Sequence, residues 1–391
     1  MSFPAAAIAA FTPVSQPALR MVRRIVIGNL LLLSAPAAVT IWWGGNGGDV
    51  NQWDLSQNWS EKAAPSSSDT VQFDNTADAN NLKPGIDGSD AAVAAILFAE
   101  STKNTYEVGG RGTLLIGGSS RITLTNAGIA DQTVRFANIQ LAESQTWTVS
   151  GSGNLTITSD ISAKDYSLTL SGESAGAGII RGSISGEGGK IVKTDRGTWT
   201  LAGENDFKGS TLIEAGRLIF SGKNASVGDV AVGVGGTLQI DASDTLPPST
   251  PLLLAGGSLA LGGRYSQTFT VPLAMTVDST IDFGRGHGGS LIAFGNSNAQ
   301  AWERSVLTIF NYEMGSDQLR FGEARDGLTS SQLRQITFSG FPAGAFIDAS
   351  GFVTPIPEPS PFLLLLGGIA LTAGLHRLRQ GRRAGTIRTY P

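Results

Sequence analysis

Imidazole is scarce in this chain of 391 residues: its two histidines are His287, in a Gly-rich stretch, and His376, close to the C-terminus. Cysteine is absent. Thiolate metal sites and disulfide staples therefore have no residues to build them, and the body's one imidazole, in a Gly-rich turn, is not expected to form a dyad, triad or metal cluster. Carboxylates are the remaining candidates. Asp241 and Asp244 follow a strand-like segment, and Asp278 and Asp282 lie four apart in another. Two strand positions four apart share a face at about 13 Å, too far for a glycosidase pair unless the chain bends between them. Exposed solvating carboxylates account for all four. The run from Gly284 to Gly289 lacks the Lys-Ser/Thr ending and the following helix of a phosphate loop. Trp42, Trp43, Trp53 and Trp59 could form a platform on which sugar rings stack, or could be buried aromatics at one end of the fold. No catalytic, cofactor or metal set emerges, and the expectation is a protein that is not an enzyme.

The elements that would carry such residues are short strands. Glycine contributes 51 residues, about twice its usual share of roughly 7%, and Ser and Thr are abundant. One pattern recurs at Gly112, Gly153, Gly197, Gly216, Gly236 and Gly257: glycine turns the chain, and the third and fifth residues are apolar. That is the alternation of a half-buried strand. The first two spacings are near twice the last three, so a coil of about 20 residues explains them all. Such a unit cannot bury its own apolar stripe, but stacked units can. Leu155, Trp199, Leu218, Leu238 and Leu259 would form one inward ladder, and Ile157, Leu201, Phe220, Ile240 and Leu261 the next. The expected fold is all-β, a right-handed parallel β-helix (β-solenoid). An antiparallel β-sandwich with similarly spaced turns is the alternative.

The fullest repeat runs from Gly188 through Trp199, Asn205, Phe207 and Glu214 to Leu218. It resembles the autotransporter-associated β-strand repeat, a β-helix module of passenger domains. Two flanking blocks resemble companions of such repeats. One holds Trp43, Trp53, Trp59 and Phe73; the other holds Trp302, Asn311, Leu319, Phe321 and Phe338, with a short helix over residues 328–336 capped by Thr329. Both are expected to act as solenoid caps.

The termini read as addresses. Arg23 and Arg24, an apolar run over residues 25–33, and Ala35-Pro36-Ala37 have the order of an export signal, whose true start is either Met1 or Met21. At the other end come Pro357, Glu358 and Pro359, an apolar run over residues 362–375, and a tail with Arg377, Arg379, Arg382 and Arg383. This order resembles the PEP-CTERM sorting signal of exopolysaccharide-producing Gram-negative bacteria. The resemblance implies a transmembrane helix held in the inner membrane until an exosortase processes it. The apolar run is a marginal span, short of the roughly 20 residues that cross a bilayer. The arginines keep that end cytoplasmic and place the body outside.

The expected organisation is a signal region at 1–40, a Trp-containing cap at 41–100, solenoid repeats at 101–262, a β-rich cap at 263–350 and the sorting signal at 351–391. The expected partners are the secretion translocon, the inner membrane before processing, an exosortase-type enzyme and exopolysaccharide. Nucleic acid is not expected, because the net charge is −4 and many of the basic residues sit in the terminal segments. The function expected is a spacer or adhesin at the cell surface or in biofilm. A polysaccharide-cleaving β-helix of the lyase or hydrolase class is the runner-up, and an unanchored passenger whose repeats are only a scaffold is the third reading.

Overall fold

Alternating apolar and Thr/Ser positions make strands with one wet and one dry side, and the chain closes the dry sides on each other by winding. In the computed structural model, which describes residues 38–356 apart from 45–50, 78–79, 119–121, 174 and 343, the strands pair in parallel from coil to coil. One circuit shows the plan. Ile122–Asn126 lies in a first sheet of 11 strands, Gln132–Arg135 in a second of 12, and Asn138–Leu141 in a third of seven. Gln145–Val149 then returns to the first sheet beside Ile122–Asn126. A five-stranded sheet continues the third face beyond Ser266, linked through Thr245, whose carbonyl accepts from the Asn224 amide. The fold is a parallel β-solenoid of about 11 turns. At about 4.8 Å per coil the rod is on the order of 50 Å long. The sandwich alternative fails, since the only antiparallel strand pairs among the described residues join Phe352–Pro355 to Gln318–Phe321 and to Ala345–Ile347.

The core is the interior column of that rod. Leu218, Leu238 and Leu259 face one another across successive coils, as do Phe220, Ile240 and Leu261. All ten residues of the two expected ladders are buried. Between Leu155 and Trp199 one coil intervenes, and its inward residue is Gly178. A Cβ added there would fall on the Trp199 ring, so the indole fills the space of two coils.

Several expectations need correction. A coil of 20 residues holds only in the centre: neighbouring coils are 19 residues apart at Asn205–Asn224, 23 at Ser167–Lys190 and 28 at Asp278–Val306. The extra residues enter corners, because the ladder fixes strand register but not turn length. Gly112 opens Thr113–Ile116, which belongs to the third sheet, whereas Gly153, Gly197, Gly216, Gly236 and Gly257 lead into strands of the second. The ladder also outruns residues 101–262. Val39–Ile41, whose first two residues belong to the segment assigned to export, already pairs with Thr70–Phe73, and Ile336–Phe338 still pairs with Leu307–Phe310. The helix is shorter than expected, Ser330–Arg334, but Thr329 caps it with Gln332 in a reciprocal capping box.

Candidate functional site

The sorting residues Pro357, Glu358 and Pro359 and the tail arginines Arg377, Arg379, Arg382 and Arg383 lie outside the described residues, as do His376 and most of the export segment. Among the described residues no helix is long and apolar enough to cross a membrane.

The acids considered for catalysis are tied into turns. Asp278 accepts the Val306 amide of the next coil at 2.8 Å, and Asp282 accepts from the Gly284 amide at 2.9 Å and from Asn311 at 2.6 Å. Asp278 lies just before the strand Ser279–Asp282, and Asp282 is its last residue. Asp241 accepts from Gln239 at 2.6 Å, and Asp244 has φ +52° in a turn. Asp90, Asp131 and Asp160 likewise each take a backbone amide 23 residues on. Asp90, Asp131, Asp160 and Asp278 thus each fasten one coil to the next. His287 is exposed in its turn, and no group of three or more His, Asp or Glu among the described residues is placed to hold a metal.

The tryptophan platform is overturned. Trp42, Trp53 and Trp59 are buried, with Trp59 edge-on to both others at 5.1 and 4.9 Å between ring centres. Their indole nitrogens are used internally: Trp42 donates to the Asn81 carbonyl at 2.8 Å and Trp59 to the Trp53 carbonyl at 2.6 Å. Trp43 alone of the four is exposed.

Two surfaces of the second sheet stand out among the described residues. The outer side of the second sheet carries a column of hydroxyls one coil apart, Thr198, Thr237, Ser258, Thr280, Thr308 and Thr337, interrupted by Arg217. Thr337 donates to Thr308 at 3.2 Å and Ser258 bonds Thr280, so part of the column is self-paired. The other surface is a groove of about 500 Å³ over the first coils of the same sheet. Gly85, Gly109 and Gly110 form its floor, and Lys83, Asp87, Glu107, Arg111 and Arg135 stand around it. Glu107 receives Arg135 at 2.9 Å and Lys83 at 3.3 Å. The Arg135 hydrogen bond, opposed by partial burial and aided by Lys83, holds the Glu107 carboxyl below its usual range. None of these residues stood out in the sequence. Arg135 and Glu107 are 28 positions apart, and only the local coil length would have shown them as neighbours.

Among the described residues one cation, Lys193, is buried inside the rod. Lys193 points inward between Leu170 and Ile213, and its ammonium donates to the carbonyls of Asp195 at 2.7 Å, Ala215 at 3.2 Å and Thr194. Burial, partly offset by the Asp195 carboxylate, lowers its pKa from the ordinary 10.5 to about 8.

No curated protein and no solved structure matches the chain. The passenger-associated transport repeat does match, over residues 191–219. That stretch runs from the Ile191–Lys193 strand through one full circuit to the strand Gly216–Phe220, across the shortest coils of the rod. A passenger-type repeat set within a parallel β-solenoid is the build of an exported, surface-associated β-helix protein of Gram-negative bacteria.

Proposed function

We propose that the chain is a non-enzymatic spacer or adhesin of the cell surface, associated with exopolysaccharide or biofilm. The observation that carries this reading is the unbroken parallel ladder with a passenger-type repeat at its centre and hydroxyls along its outer face. The buried tryptophans at one end and the capped helix at the other act as lids on the open stack, because terminal coils must cover apolar ends. The body crosses the inner membrane through the translocon, and residues 362–375 and the arginine tail hold the chain in that membrane. An exosortase-type enzyme then acts at Pro357, Glu358 and Pro359. The order of parts supports this, a Pro-Glu-Pro motif followed by an apolar run and an arginine tail.

Intact mass of protein recovered from the cell surface tests the sorting step. The expected species lacks residues 362–391. A retained tail would make the segment a permanent anchor, and unchanged processing of Glu358→Ala would remove that residue from recognition. Activity is tested by incubating the protein with host exopolysaccharide, where retention without new ends is expected. One observation favours the lyase or hydrolase reading: the Lys83, Glu107 and Arg135 cluster puts cations beside a carboxylate in a groove. Reducing or unsaturated ends that vanish in Glu107→Gln would establish it.

A further inference from the structure

We propose that the glycine-floored groove of the second sheet is a binding site for a carboxylated glycan, one whose sugar rings carry uronate groups. The proposal rests on the surface role above and assigns its ligand class. Charge gives the first argument. Residues 38–356 hold 20 of the 28 Lys and Arg but 31 of the 32 Asp and Glu, so the rod is acidic. Around this groove the balance inverts, with three cations to two acids. Glu107 fixes Lys83 and Arg135 on its two oxygens at once, leaving one positive charge in excess at a defined place. The Arg111 guanidinium is exposed and makes no hydrogen bond or ion pair among the described residues. A planar guanidinium free to take both oxygens of a carboxylate is the fitting group for a uronate.

The floor gives the second argument. Gly109 is required by the fold, since a Cβ there would strike the Arg135 carbonyl of the next coil, and Gly110 meets the Ile86 carbonyl in the same way. Gly85 pairs with Gly109 and is different: its Cβ would find the Gly109 carbonyl oxygen at 3.4 Å, an ordinary contact, and its φ is not left-handed. Coil packing leaves room for a side chain at Gly85, yet the position is bare. A bare strip of backbone between charged walls accepts the flat face of a sugar ring, with Glu107 placed to accept from a ring hydroxyl and the cations to hold the carboxylate.

The test uses the full chain and three probes, polygalacturonate, polymannuronate and hyaluronate oligomers, each beside its carboxyl-reduced form. At least one acid form binds, and carboxyl reduction weakens it by about tenfold or more. Arg111→Glu weakens it similarly at an unchanged melting temperature, because that side chain has no partner among the described residues. Gly85→Gln, which covers the floor without entering the core, does the same. Equal retention of acid and reduced forms, wild-type affinity in Arg111→Glu, or no binding of any uronate would overturn the assignment. The two readings fail separately: a surface-recovered protein that ignores all three uronates sinks the groove alone. A chain that binds them but never reaches the surface sinks the surface role alone.

Discussion

A lysine in the middle of an apolar column is the residue whose behaviour is most constrained by the fold. Lys193 is fully buried, and its pKa is pushed to about 8. The charged form is therefore disfavoured in the native state, and the penalty is complete below pH 8. Between about 8 and 10.5 the unfolded chain still binds the proton that the folded one has released, so stability rises with pH across that window. The full effect is on the order of 3 kcal/mol. Melting temperature of wild type relative to Lys193→Met should climb from pH 8 to 10.5, and a flat difference would show that the ammonium is not desolvated. The corner acids are the opposite case. The spacing of Asp278 and Asp282 was legible as too long for a glycosidase pair on one straight strand, but their task of holding the next coil's amide or a turn was not, because the partner lies a variable distance along the chain.

At the scale of the strand, alternation made the inward columns legible. Leu218 is buried and Arg217, next to it, is exposed. Leu218→Asp places an unpaired charge in the column and should abolish cooperative melting, whereas Arg217→Asp should move the transition by a degree or two at most. Similar melts for the two variants would exclude this register. Gly178 makes a second test. Gly178→Val collides with the Trp199 indole and should cost about 3 kcal/mol, and adding Trp199→Leu should recover much of the loss. Additive losses would mean that the two positions do not share a space. Gly178 itself could not be picked out beforehand, since in sequence it sits where the pattern demands an apolar residue. The five glycines from Gly153 to Gly257 were correctly joined because the central coils are short and regular, or skip one coil cleanly. Gly112 was misjoined because its distance to Gly153 mimics two such coils while its strand lies on another face.

For the whole molecule, periodicity predicted a rod and erred on its extent. The segments taken as caps continue the same three-sided winding, and their longer corners hid the period. The groove escaped notice for the same reason: Lys83, Glu107 and Arg135, three ordinary surface charges, become neighbours only when coils of unequal length are wound into register.

The parallel ladder also decides how the molecule answers a pull. Its backbone hydrogen bonds run from each coil to the next, so they lie along the axis of the rod. Tension applied at the two ends of the chain reaches one coil at a time and peels it, instead of shearing all coils together. Each 23-residue coil would pay out roughly 75 Å of tether as it lets go. Force spectroscopy should record a train of steps of that size, shortest where the coils have 19 residues, and a single rupture of the whole rod would contradict this. A protein built this way yields gradually under drag, lengthening many times over before its far end is lost.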